Sequence, residues 1–374
     1  MNPKLFDCAI IGGGLAGLTL AIQLAEAGHS VILFEKEKYP FHKVCGEYIS
    51  MESYDFLERI GVPIGSMNLP MIHEVKISSP NGNSITRKLD LGGFGISRYI
   101  LDSTLAAIAV KKGVVLLEET KVWDIIFEND SFTIKAAQQT YKTKVACGAY
   151  GKRSLLDKKL DKKNKPNRKN YIAVKHHVKL NFPANRIELH NFKDGYCGIS
   201  KVDGDKYCLC YLTNSQNLRD NDNDIKAMEQ NILMKNPFLK KYFTEAVFLY
   251  DRPITISQIT FDKKTAVKNN VLMLGDSAGN IAPLCGNGMS MAMRSSYVAF
   301  QLIKKYLEKN ITRSDMEILY KNQWDDLFSG KIKAGKYIQY LFGREILTNI
   351  SIILLKKIPA LTDKLITITH GSKF

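Results

Sequence analysis

The 374-residue chain is short of several things, and each shortage excludes something. It has no run of 18 apolar residues, so no ordinary membrane-spanning helix is expected. Its opening, MNPKLFDCAIIGGG, carries no basic n-region and no small-residue cleavage site, so no secretory signal is expected. The seven cysteines (Cys8, Cys45, Cys147, Cys197, Cys208, Cys210 and Cys285) are odd in number and include no C-x-x-C pair. That argues against a disulfide framework or a zinc ribbon and for a reducing cytoplasm. No P-loop, H-E-x-x-H or G-x-S-x-G is present. Acidic residues are also scarce, 37 Asp+Glu against 53 Lys+Arg, for a net charge of +16. No recognition motif accompanies this charge, so nucleic acid is not an expected partner. A membrane surface, an anionic ligand or a lysine-rich solvated face stays open.

What is present reads as a folded chain. At 45% hydrophobic and 24% charged residues, the composition rules out wholesale disorder. A chain this long buries roughly 75% of its unfolded surface and is expected to form two lobes. LFDCAII (5–11) is a nearly all-apolar strand candidate, followed by Gly12-x-Gly14-x-x-Gly17, a helix pattern over 15–27, and the strand SVILFE ending in Glu35. That is a βαβ unit. The first glycine permits a tight turn, the second lets a pyrophosphate approach the backbone, and the third lets helix and strand pack closely. The phosphates would sit on the positive end of the helix, on the N–H groups that include those of Leu15 and Ala16. Glu35, 18 residues past Gly17, is placed to accept hydrogen bonds from ribose hydroxyls. A dinucleotide is the expected ligand, and an acid at this position disfavours a 2′-phosphate.

NVLMLGDSAGN (270–280) echoes the pattern: a buried strand ending in Gly275-Asp276, then a glycine-rich loop and a helix. An Asp there could bind a polyol chain, and the next helix N-terminus could face the negative charge of a reduced flavin. The middle of the chain, 171–182, 185–192, 195–202 and 206–213, gives four β-rich runs separated by turns, expected as an antiparallel sheet. Residues 313–370 read as helices and include the apolar run ILTNISIILL (346–355). Seven positive charges crowd 158–169, a solvated loop.

IIGGGLAG…FEK, SRYILDSTLAAIA (97–109), ACGAYGKRS (146–154) and LMLGDSAGNIAPLCGNGMSMAM (272–293) together resemble the FAD-dependent aromatic hydroxylase (para-hydroxybenzoate hydroxylase-like) and geranylgeranyl reductase superfamily. KVCGEYIS (43–50) and GYCGI (195–199) resemble the geranylgeranyl reductase branch. The resemblance implies an α/β (α+β overall) fold with a Rossmann-like FAD-binding lobe over 1–75, 97–157 and 262–312. An antiparallel substrate sheet would occupy 76–96 and 170–261, and a helical C-terminal region 313–374. It implies FAD held by Gly12, Gly14, Leu15, Ala16, Gly17, Glu35 and Lys36, with Lys43, Cys45 and Arg98 beside it. Gly275 and Asp276 would meet the ribityl chain, and Pro283, Gly286, Asn287, Gly288 and Met289 would line the isoalloxazine.

The reaction implied is reduction or dehydrogenation of a C=C bond in a hydrophobic prenyl- or polyketide-like substrate, with Cys45 and Tyr196 as the candidate catalytic pair. Two alternatives remain. One is an FAD-dependent monooxygenase that hydroxylates an aromatic or polyketide substrate through a C4a-hydroperoxyflavin. The other is a flavin electron-transfer protein without turnover of its own. Where aromatic hydroxylases carry Asp-Gly, this chain has Tyr150-Gly151, and it has no second G-x-G-x-x-G. Electrons are therefore expected from transient NAD(P)H binding or from a protein donor. The W-x-W-x-I-P signature of flavin halogenases is missing, since the two tryptophans are Trp123 and Trp324. No metal site is expected. Cys208 and Cys210 share one face of a strand and read as core packing, whereas His176 and His177 point to opposite faces, at least one of them toward solvent. The expected location is the cytoplasm, with peripheral contact at the inner membrane face left open.

Overall fold

A fully apolar strand is stable only when both of its faces are covered, and the chain begins by building such a sheet. In this computed structural model the described residues are 5–152, 154, 156, 159, 170–259, 264–279, 287–342, 344–358, 362 and 372–374. The first part runs β1 (Leu5–Ile11), α1 (Leu15–Glu26), β2 (Val31–Phe34), β3 (Tyr48–Ser50), α2 (Tyr54–Arg59), β4 (Met71–Ser78), β5 (Ser84–Gly95) and α3 (Arg98–Lys111). Then come β6 (Val115–Leu117), β7 (Val122–Glu128), β8 (Ser131–Ala136), β9 (Gln139–Gly148), β10 (Tyr171–Lys179), β11 (Arg186–Phe192), β12 (Gly195–Val202) and β13 (Lys206–Asn214). Three short helices follow, α4 (Ser215–Arg219), α5 (Ile225–Asn231) and α6 (Pro237–Glu245), and then β14 (Val247–Phe248), β15 (Ile254–Ile259), β16 (Val267–Lys268) and β17 (Val271–Met273). Long helices close the chain: α7 (Gly288–Leu307), α8 (Arg313–Phe342) and α9 (Glu345–Lys357).

Two sheets carry the fold. The first has the order β16-β17-β9-β1-β2-β6, with β7 and β8 extending from β9. β1 pairs in parallel with β2 and β9, and β17 and β6 continue that parallel core. Helices α1, α3 and α7 cover it, and the Thr19 hydroxyl meets that of Ser296 at 2.7 Å where α1 and α7 cross. The second sheet runs β14-β10-β13-β12-β11-β4-β5-β3, with β15 on β10. Its pairings are antiparallel except for β11 with β4, which is parallel. This is the α/β architecture the sequence implies, a Rossmann-like lobe against a second sheet. β3 and the opening residues of β4, which the sequence reading put in the first lobe, pair within the second sheet.

The second sheet has two covered faces, and that overturns one expectation. His176 and His177 do point to opposite faces, but neither is solvent-exposed. On the outer face α5 and α6 pack over β10 to β13, so His176 meets Glu229 at 2.9 Å. On the inner face the 42–47 segment covers β10, so His177 meets Glu47 at 2.6 Å. The outer layer is pinned by Asn236, which caps α6 and donates to Ser78 Oγ, Ser79 O and Asn191 O.

Candidate functional site

The glycine turn after β1 is built for close approach. Gly12 has φ +111°, and a Cβ on it would lie 2.4 Å from Ala149 O; one on Gly17 would lie 2.0 Å from Gly12 O. Neither position accepts a side chain, so the turn is tight and α1 starts directly against it. Gly14 differs. It is the N-cap of α1 without a side-chain cap, and a Cβ there would be 3.8 Å from Arg98 Nη2 and 3.9 Å from Lys43 Nζ. The first N–H groups of a helix have no intrahelical acceptor. Those of Leu15 and Ala16, with no acid in the first turn, therefore share a small space with two cations. This donor set suits a pyrophosphate.

Glu35 closes the other side. It is buried just past β2, where its Oε2 accepts from Gly13 N at 2.9 Å and its Oε1 from Lys36 N at 2.8 Å. The Lys36 side chain itself lies at the surface, 3.5 Å from Glu37. Arg98, at the first turn of α3, grips Asp102 one turn on through two bonds of 2.7 and 2.8 Å. Lys43 Nζ joins Asp102 at 3.1 Å. Burial alone would raise the Asp102 carboxyl pKa, but Arg98 and Lys43 together hold it below the usual range. The second turn, Gly275–Ser277, presents Asp276 near Lys152 (4.0 Å). Ser277 Oγ, accepting from Gly151 N at 2.8 Å, ties it to the Tyr150-Gly151 turn. Asn287 stands at the N-cap position of α7, whose first residues are Gly288 and the buried Met289. Pro283 and Gly286 lie outside the described residues, as do 160–169 of the basic loop.

Cys45 stands where cofactor turn and second sheet meet. Its carbonyl accepts the Cys208 thiol at 3.2 Å, and its sulfur accepts Glu47 N–H at 3.5 Å. The next residue but one anchors the segment. Glu47, with φ +57°, accepts from Lys175 Nζ (2.5 Å), His177 Nε2 (2.6 Å) and Arg98 N (2.8 Å). Burial would raise the Glu47 pKa, but the His177 hydrogen bond and the Lys175 charge pull it below the usual carboxylate value. Glu47, His177 and Cys208 place three ligand-type atoms within 4.8 Å of one another. The Lys175 ammonium and His177 Nε2 already occupy Glu47, while the Cys208 thiol donates to Cys45 O.

Tyr196 lies half-buried on the same inner face, packed with Val44, Tyr171 and Ile256 against Ala173, Leu212 and Ile259. Farther along that face Ile77, Ile187 and Leu189 are half-buried over Tyr48, Ile72, Val75 and Leu89. Cys210, beside Lys175 in the β10–β13 register, has its pKa pushed up to about 12 by burial.

A family model described as FAD binding domain matches residues 6–311. The chain belongs to this FAD-binding family. The flavoprotein's relatives span several chemistries. It is 22% identical to a digeranylgeranylglycerophospholipid reductase of Methanococcus vannielii, over 86% of this chain and 82% of that protein. It is 22% identical to a kynurenine 3-monooxygenase of Flavobacterium johnsoniae, over 80% and 72%. Its fold is similar to that of a probable FAD-dependent monooxygenase from Pseudomonas aeruginosa, with TM-score 0.75, 16% identity, and 94% and 100% of the two chains covered. A flavin-dependent brominase has the same fold at TM-score 0.78 and 20% identity, covering 99% and 94%. FAD is therefore the cofactor, and the protein is of the FAD-dependent oxidoreductase superfamily.

Sequence reasoning did not find Tyr39, Asp102, Glu47, Lys175 or His177 as part of this site. Tyr39 OH donates to Gly13 O at 2.5 Å, inside the glycine turn. Asp102 had a legible signal, its i+4 spacing from Arg98 on an expected helix. The others come together only through the second sheet.

Proposed function

We propose that this flavoprotein reduces, or in reverse dehydrogenates, a C=C bond of a hydrophobic prenyl- or polyketide-like substrate lying along the inner face of the second sheet. The observation that carries the reading is the position of Cys45. It lies within electrostatic reach of Arg98 on the cradle side and of Lys175, Cys208 and Cys210 on the inner sheet face, the face that also bears Tyr196. Bound FAD, once reduced by NAD(P)H or a protein donor, supplies the hydride. The chain's own residues do the rest. Gly14, Lys43, Arg98 and Glu35 hold the ADP half, and Asp276 the ribityl side. The apolar side chains of β4 and β11 exclude water from the substrate. Cys45 donates the proton to the second carbon, its thiol oriented by Glu47 N–H. Hydride and proton together add two hydrogens across the double bond, and one proton from solvent restores the thiol.

The kynurenine 3-monooxygenase relative favours a second reading, hydroxylation of an aromatic ring. One experiment separates the two. The reduced holoprotein is incubated with prenyl lipids and polyketides with and without oxygen. Anaerobic product heavier by two hydrogens supports the reductase, and an oxygen-dependent gain of one oxygen atom overturns it.

Such a substrate is met at a lipid surface, and α9 has the face for it. Ile346, Ile350, Ile353, Leu354 and Ile358 are all exposed, on the side opposite Ile352 and Leu355, which pack on Ile85 of β5. Arg344, Lys356 and Lys357 flank that stripe, so its occupant in this reading is an anionic lipid surface. No helix among the described residues is long and apolar enough to cross a membrane.

A further inference from the structure

A proton consumed in a buried site must be replaced from water, and Glu47 and Lys175 have no exposed surface of their own. One side of the cluster leads outward. The His177 ring lies 5.4 Å from that of His42, centroid to centroid, at 70°. His42 stacks on Tyr99 at 4.6 Å, and its Nε2 lies 3.3 Å from the hydroxyl of Tyr250, a side chain 46% exposed. Both imidazoles hold a buried nitrogen without a hydrogen-bond partner, Nδ1 of His42 and Nδ1 of His177. Two adjacent rings with the same orphaned atom are an unusual expense in a folded protein, because such atoms are ordinarily satisfied. The rings meet edge to face, and each keeps its Nδ1 uncommitted.

The tautomers follow from the partners. His177 Nε2 faces a carboxylate, so it carries the hydrogen and leaves Nδ1 as acceptor. With His42 neutral and accepting from Tyr250 at Nε2, its Nδ1 carries the hydrogen. Every donor then points inward: Tyr250 O–H to His42, His42 Nδ1–H toward His177, and His177 Nε2–H to Glu47. Lys175, bonded to both Glu47 Oε1 and Lys43 O, ends the row under the Cys45 segment.

We propose that Tyr250, His42 and His177 form a proton path from solvent to the Glu47–Lys175 pair, replacing the proton the site consumes. The path rests on the proposed reduction for its use, but its existence does not depend on that reading. A proton enters at Tyr250 as the hydroxyl passes its own to His42 Nε2. His42 releases its Nδ1 proton toward His177 Nδ1, His177 releases its Nε2 proton to Glu47, and Lys175 gives one proton toward the Cys45 thiolate and recovers it from Glu47, so one proton enters from water for the one consumed. Each hop leaves the imidazole in the other tautomer, and ring rotation or a reverse hop resets it, with no electron transferred. Groups facing His42 are Lys175 and His177 on β10, Lys206 on β13, Glu47 on its own segment, Tyr99 on α3 and Tyr250. Burial and the Lys175 charge hold its imidazole below the ordinary pKa, so the ring is neutral and able to relay at pH 7.

The test is exchange of the His177 Nε2 proton with water, read by 15N-resolved NMR of the FAD-loaded protein. In His42→Gln this exchange slows about tenfold or more, while the His177 signal keeps the shift set by its bond to Glu47. Added imidazole restores the rate in His42→Ala, which a merely structural role would not produce. Tyr250→Phe, at an exposed position, slows the exchange as well and carries the test if the His42 variants fail to fold. Unchanged exchange in both His42→Gln and Tyr250→Phe overturns the path. Slowed exchange in a protein that reduces no C=C substrate upholds the path and discards the reductase reading alone.

Discussion

Lys175 Nζ lies 2.5 Å from Glu47 Oε1, and both side chains are wholly removed from solvent. The two residues come from different layers, Lys175 from β10 of the second sheet and Glu47 from the segment that follows the cofactor turn. Their ion pair is the bolt between the FAD-binding half and the second sheet, and Arg98 N, donating to the same carboxylate, extends it to α3. A change at either end therefore acts on fold and cofactor site together.

Removing one member leaves the other charge buried and uncompensated, a loss of about 3–5 kcal/mol. Lys175→Met and Glu47→Gln should each lower the urea midpoint strongly and reduce retained FAD. Stability equal to wild type in both would show that the pair does not join the layers.

Acid should unfold the protein in two stages. Burial lowers the His190 imidazole below 6.5, although Glu188 opposes that shift. The unfolded chain thus binds a proton first, and stability falls as pH drops from about 6.5 through the folded value. Glu47 and Asp102 have folded pKa values below 4.5 and 3.8, despite burial, because of their cationic partners. Their contribution is complete above those values and is lost as pH falls further. Urea midpoints should be level above pH 7, decline below 6.5 and decline more steeply below 4.5. A midpoint that rises on acidification would contradict these assignments.

The legible parts of the site are those written locally. The β1–α1–β2 unit with Glu35 depends on spacing within some thirty residues, which strand and helix periods impose directly. The Glu47 cluster does not: Lys175 and His177 lie 128 and 130 residues beyond Glu47 and reach it only when β10 takes its place in the sheet. For His176 and His177, alternation along the strand correctly gives opposite faces. It says nothing about what covers each face, and here α5 and α6 cover one and the cofactor-side segment the other. Lys36 shows the converse. The family resemblance puts it at the cofactor, yet its side chain turns to Glu37.

The cradle makes two distinguishable predictions. Gly17→Ala places a Cβ 2.0 Å from a backbone oxygen that cannot move aside. It should cost about 1–3 kcal/mol of stability or more, and FAD binding with it. Lys43→Ala leaves the turn intact and removes one cation from the Gly14 side. It should weaken FAD roughly tenfold to a hundredfold with little change in melting temperature. Flavin fluorescence titration reads the first quantity and thermal unfolding the second. Equal FAD affinity in Lys43→Ala would remove that lysine from the cofactor site.

The exposed face of α9 is open to a direct test because, among the described residues, its apolar side chains stand in solvent. Ile350 is 58% and Leu354 47% exposed, so Ile350→Glu and Leu354→Glu should leave stability within about 0.5 kcal/mol of wild type. Each basic residue near an anionic surface contributes about 1 kcal/mol, and the apolar face adds burial. The wild-type holoprotein should therefore sediment with phosphatidylglycerol vesicles at low salt and far less with phosphatidylcholine alone. The double glutamate variant should lose most of that binding, since it removes apolar contact and adds like charge to the lipid side. Sedimentation that ignores lipid charge, or a wild type that stays in the supernatant, would leave α9 without a lipid surface. Dimerisation by light scattering, abolished by the same variant, would instead assign the stripe to a second copy of the chain.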